Sequence, residues 1–236
     1  MSHICGIYRF DKQGDIKKEL EKMVDALNYW EPDKIHLQHE NDSGFGHLML
    51  YNTPESLHET LPYREDNLII TTDARIDNRQ ELIHQLDIPK NTGENIPDSH
   101  LILKAYKKWG PHCPVHLSGD FAFAIWDNKT KQMFCARDPM GVKPFYYFLN
   151  QRIFLFASEI KGILAHHQVR TTINEQWIAD SLSTIKSEKD KTFYNEVYRL
   201  PPAHYLVLSK SKKVIKKYWD LSPQKTISFK NDEEYT

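Results

Sequence analysis

Cysteine is the residue type in this chain best suited to covalent chemistry, and there are three, Cys5, Cys113 and Cys135. An odd number without CxxC spacing argues against both a disulfide framework and a zinc cage, so each is read alone. Cys5 runs through Gly6 and Ile7 into an apolar stretch near the amino end. Its thiol is therefore a candidate nucleophile, with a small buried thiol as the alternative. Cys113, in a Pro-His-Cys-Pro loop, and Cys135, close to Arg137, read as packing residues. Asp73 and Arg75 stand two apart in an extended run, so their side chains leave one strand face. They can pair with each other or line a site for an anionic ligand. Asp98 opens a helical pattern, where a carboxylate suits a helix cap as well as a ligand contact. Among twelve histidines, His166 and His167 are adjacent and no HExxH pattern occurs, so no metal site is expected.

Positioning these groups takes strands and helices whose periods can be read along the chain. Ile4 to Phe10 alternates as a strand and ends in Asp11-Lys12-Gln13-Gly14, a turn. Leu20, Met23, Val24 and Leu27 then recur at helical spacing until Tyr29-Trp30-Glu31-Pro32. Gly46 to Tyr51 and Asn67 to Arg75 read as strands. Asn78 opens a helix in which Glu81 is expected to reach back as a capping box, over a stripe of Leu82, Ile83 and Leu86. Asp98 opens the next, with Leu101, Ile102, Ala105 and Trp109 inward and Gly110 as its stop. Phe121 to Trp126, Gln132 to Ala136, Phe145 to Phe148 and Ile153 to Ala157 form a meander, followed by a helix over 173–182 and a hairpin at 205–208 and 214–218. Strands, then covering helices, then antiparallel strands imply one α+β domain over 1–220. The polar, aperiodic stretch 221–236 reads as a linker.

The formal charge is -1 at pH 7, which gives no basic field for nucleic acid or an anionic membrane. No apolar run reaches the roughly 18 residues that a membrane span needs. A cytoplasmic protein is expected.

Three further segments carry a resemblance. Ser118-Gly119-Asp120-Phe121-Ala122-Phe123-Ala124, Arg137-Asp138-Pro139-Met140-Gly141-Val142-Lys143-Pro144-Phe145-Tyr146 and Ala157-Ser158-Glu159-Ile160-Lys161 follow one another in order, with Leu200-Pro201-Pro202-Ala203-His204 and Tyr218-Trp219 behind them. Together with Cys5-Gly6-Ile7 they resemble the N-terminal class II glutamine amidotransferase domain of the asparagine synthetase family. The residues by themselves read as scaffold: Phe121, Phe123 and Ile125 take one strand face and Ala122, Ala124 and Trp126 the other, Gly141 supplies a turn, and Arg137-Asp138 is expected to brace it as an ion pair.

The resemblance implies the four-layer αββα sandwich of N-terminal nucleophile hydrolases, built of stacked, mainly antiparallel sheets. It also implies L-glutamine as substrate, with Cys5 as nucleophile if processing frees its amine, and a C-terminal synthetase domain that would carry ATP and Mg²⁺. No cofactor is expected in this chain, which has neither a Ser-Gly-Gly-x-Asp-Ser loop nor a P-loop. The implied substrate-binding positions are Met49, where the family presents an arginine to the glutamine carboxylate, Asp73-Ala74-Arg75, which replaces an Asn-Gly-Glu triplet, and Asp98. Four residues precede Cys5, so its nitrogen is an amide and cannot serve as the local base that an α-amine provides. The Asp-Ala-Arg triplet and internal cysteine look like the branch that includes β-lactam synthetases and lasso-peptide cyclases. An active glutaminase and a non-catalytic docking scaffold both remain open at this point.

Overall fold

The computed structural model describes residues 1–89, 96–183 and 189–222. Two six-stranded antiparallel sheets stack face to face. The first runs β10 (Tyr198–Arg199), β8 (Tyr146–Leu149), β9 (Ile153–Ala157), β1 (His3–Arg9), β3 (Ser43–Met49), β2 (Lys34–His39). The second runs β12 (Lys212–Lys217), β11 (His204–Ser209), β7 (Gln132–Arg137), β6 (Gly119–Asp127), β5 (Leu68–Ile76), β4 (Tyr63–Glu65). Helix α1 (Ile16–Leu27) and the short α4 (Ile160–Leu164) cover the first sheet; α2 (Arg79–Gln85) and α3 (Asp98–Trp109) belong to the second side; α5 (Glu175–Leu182) follows on the surface. The α+β sandwich expected from the sequence is the fold found.

Alternation along each strand sorts side chains into three apolar layers. Ile4, Tyr8, Phe45, Ile69, Ala122, Ala124, Trp126 and Phe156 fill the space between the sheets. Cys5 and Ile7, the opposite parity of β1, pack with Leu20, Met23 and Val24 of α1. Phe121, Phe123 and Ile125 meet Ile102 and Ala105 of α3. The two faces of β6 thus go where the sequence placed them. Register is fixed because a one-residue slip would turn every inward side chain outward.

Several local details differ from the sequence reading. Strand β2 was not expected: it is an exposed edge whose residues mix charge and apolarity, so its burial signal is weak. Asn78 does not cap α2. Its Oδ1 accepts from the Ser118 amide, and its Nδ2 donates to Glu81 and the His116 carbonyl, tying the helix start to the loop before β6. Asp98 does not cap α3; its Oδ2 accepts from the Ile76 amide at 3.1 Å, which joins the helix to the end of β5. Arg137 and Asp138 do not brace each other side chain to side chain. Arg137 donates to the carbonyls of Gly141, Lys143 and Leu200, while Asp138 accepts from the amides of Val142 and Lys143. Each group satisfies orphan backbone atoms of a turn that Gly141, at φ 68°, closes. The proposed linker lies outside the described residues from position 223 onward.

Candidate functional site

One cavity gathers most of the expected site. Its wall includes Met49, Asp73, Ala74 and Asp98, together with Ser2, Glu55 and Glu59. It sits where the end of β3, the end of β5 and the start of β1 meet the 3-10 turn Glu55–His58. The free volume is about 10 Å³, room for a single water.

Met49 is buried and lines this space, with the Ser2 hydroxyl 3.8 Å from its sulfur. The same hydroxyl accepts from the Leu50 amide at 3.0 Å, fixing the chain start against the end of β3. Asp73 is buried, and Lys143, delivered by the Arg137–Asp138 turn, donates to its Oδ1 at 3.0 Å. Burial pushes the Asp73 carboxyl above its ordinary value, and Lys143 pulls it back. Burial also raises Asp98, against the pull of Arg79, whose guanidinium grips its Oδ1 and the Ile96 carbonyl. Glu59, whose Oε1 accepts from the Ser99 amide, is raised by burial to about 7.

Two expected members are not brought here. Cys5 is fully buried on the other face of β1, its sulfur beside Val24 of α1, as shown by the space beside Gly46. Burial pushes its thiol up to about 12, so at neutral pH it is a protonated packing group, not a thiolate. Arg75 does not pair with Asp73. Its side chain is 60% exposed and donates to Asp77 at 3.0 Å, because β5 ends one residue later and the long arginine reaches water, whereas buried Asp73 can be met only from within.

The residues that sequence reasoning missed are Ser2, Glu55, Glu59, Arg79 and Lys143. Strand parity was the available signal for Ser2: positions 4 and 8 face the other sheet, so position 2 shares their side and position 5 does not. Nothing local marks Lys143, which meets Asp73 across 70 positions of sequence. Away from the pocket, Glu19, His166 and His167 bring ligand atoms within 4.8 Å of one another. Glu19 is, however, taken by the Arg9 guanidinium on both oxygens, and His166 Nδ1 accepts from the Gln168 amide. The cluster reads as a buried ion pair.

Two stacked antiparallel sheets between helical layers, with the amino end of a central strand at a small polar cavity, define an N-terminal nucleophile hydrolase type of sandwich. The chain belongs to the glutamine amidotransferase domain family, whose model matches residues 1–219. Asparagine synthetase 3 (glutamine-hydrolysing) of Bacillus subtilis is 32% identical over 230 residues, covering 95% of this chain and 38% of that protein. A relative from Methanocaldococcus jannaschii is 32% identical over 254 residues, covering 96% of this chain and 48% of its own length. This is therefore a glutamine amidotransferase domain homologous to asparagine synthetases, and it spans less than half the length of these two relatives. Among solved structures, the glutamine phosphoribosylpyrophosphate amidotransferase of B. subtilis shares the fold at a TM-score of 0.63 and 14% identity, over 92% of this chain and 49% of that one. Among the described residues no helix is long and apolar enough to cross a membrane.

Proposed function

We propose that this domain is the amidotransferase portion of an ATP-dependent, amide-forming enzyme of the asparagine synthetase type, and that it does not hydrolyse glutamine through Cys5. The carrying observation is the orientation of Cys5, which faces α1 while the pocket residues lie on the other side of the strand. Three further features support the reading. The Cys5 nitrogen is an internal amide of β1. Asp73 would present a carboxylate to a developing oxyanion, where loss of one proper donor alone costs about 3–4 kcal/mol. Met49 cannot clamp a carboxylate, and the free volume beside it is about 10 Å³. The domain then acts as a scaffold that docks a synthetase portion, to which ATP and Mg²⁺ would belong, while the amine comes from the acceptor substrate.

The test is glutamate release from glutamine by the purified protein and by Cys5→Ala. Equal, background-level release is expected from both; release that disappears in Cys5→Ala would sink the reading. Ser2 favours a second one. Its hydroxyl is on the pocket wall, and a cut at the Met1–Ser2 bond would leave a hydroxyl nucleophile with its own α-amine as base. Glutamate release by a Ser2-terminated chain, abolished in Ser2→Ala, would select that reading.

A further inference from the structure

This inference rests on the reading that the pocket no longer takes glutamine. Four carboxylates, Glu55, Glu59, Asp73 and Asp98, line one cavity. Two side-chain cations meet them there: Lys143 on Asp73, and Arg79 on Asp98 and Glu55. Glu59 accepts from the Ser99 amide and feels Arg79 only through space, while the amino-terminal charge and the Ser2 amide add to the pull of Lys143 on Asp73. Full ionisation thus sets four carboxylates against Lys143, Arg79 and the amino terminus around this space, and buried charge without a counter-charge is costly.

Asp73 locates the deficit. It is 5% exposed, its Oδ1 is taken by Lys143, and its buried Oδ2 has no hydrogen-bond partner. A buried carboxylate oxygen asks for a donor or a cation. The space beside it has the size of one water, and its wall adds the Ser2 hydroxyl to the carboxylates. Such a wall of oxygen acceptors suits a hard cation or an ion that donates on every side. Lys143, 3.0 Å from the same carboxylate, disfavours a second, doubly charged neighbour.

We propose that Asp73 and its neighbouring carboxylates hold one water-sized monocation, an ammonium or alkali-metal ion, in this cavity. The ion completes the charge balance that Lys143, Arg79 and the amino terminus leave unfinished, and it locks the end of β5 to the turn that carries Glu55.

The test is the thermal midpoint of the purified protein at about pH 8, above the raised value of about 7 for Glu59, in about 0.2 M ammonium, sodium or potassium chloride against equal tetramethylammonium chloride. A rise of roughly 3 °C or more in a small-cation salt is expected. The rank of the three salts tells ammonium from alkali metal. Asp73→Asn should erase the difference. Lys143→Met should enlarge it, because the bound ion then replaces a missing ammonium; a merely structural lysine would leave it unchanged. If either variant fails to fold, ²³Na line broadening on the parent, reversed by ammonium or potassium, decides. Equal midpoints in all salts with no sodium broadening would mean a water only and overturn the proposal, as would stabilisation by Mg²⁺ and by no monocation. None of these measurements uses glutamine, so detection of glutaminase activity would overturn the preceding reading without producing either result here.

Discussion

His47 shows how much one side chain can set. It is fully buried on β3, its Nδ1 3.2 Å from the Thr71 hydroxyl across the sheets and its Nε2 without a partner. Burial, with small pushes from His36 and His3, lowers its imidazole to about 3. The folded form is therefore neutral, and the unfolded chain takes up the proton first, near the ordinary value of 6.5. Stability from this group is complete above that value and is lost as pH falls toward about 3, at about 1.4 kcal/mol per unit. Glu59 acts with the opposite sign, losing stability as pH rises from 4.5 to about 7. Comparing the parent with His47→Gln cancels the Glu59 contribution: below pH 6.5 the variant should show a flatter decline of denaturant midpoint. A parallel decline would refute the assignment. At this scale the sequence was a partial guide. Asp73, Ala74, Asp98 and Met49 line one cavity, whereas Cys5 takes the buried-thiol alternative on the opposite face of β1. A thiol draws attention by its chemistry, whereas its direction is set by Ile4 and Tyr8 entering the inter-sheet layer, a tertiary fact.

At the level of elements, the turn between β7 and β8 holds the site together. Arg137 gives hydrogen bonds to three carbonyls from two loops, and Asp138 collects two amides, so the turn is rigid enough to deliver Lys143 to Asp73. Arg137→Met should cost about 3–5 kcal/mol, since it leaves buried carbonyls unserved. Arg137→Lys should recover little of it, as an ammonium cannot reproduce the planar fork. Urea unfolding of both variants checks this, and a loss below about 1 kcal/mol would show that water replaces the arginine. Helices α1 and α3 and the strands of the meander were legible because their apolar residues keep a strict period. Strand β2 was not legible, because an edge buries too little to enforce alternation. The caps assigned to Asn78 and Asp98 failed for a related reason: both side chains found long-range amides, at Ser118 and Ile76, that local spacing cannot announce.

Across the whole molecule, the order of strands and covering helices was enough to reach the sandwich, and the motif segments that marked the family, Phe121 to Ala124 and Arg137 to Tyr146, turned out to be core strand and turn. Their role is architectural, which is why family membership was readable while the state of the pocket was not: the pocket is written in single residues from five separate segments. The ends of the sheets carry their own consequence. Among the described residues strand β12 is the open margin of the second sheet, and four of its six residues are lysines, Lys212, Lys213, Lys216 and Lys217. An unpaired margin offers its backbone to any passing strand, and a row of like charge repels a second copy. Replacing Lys212, Lys216 and Lys217 by threonine, while keeping Lys213 over the Tyr147 and Tyr198 rings, should leave the melting temperature nearly unchanged. Light scattering should then rise with concentration and fall again when charge is restored. The lysines of β12 would then be guardians of solubility, holding the molecule apart from its own kind.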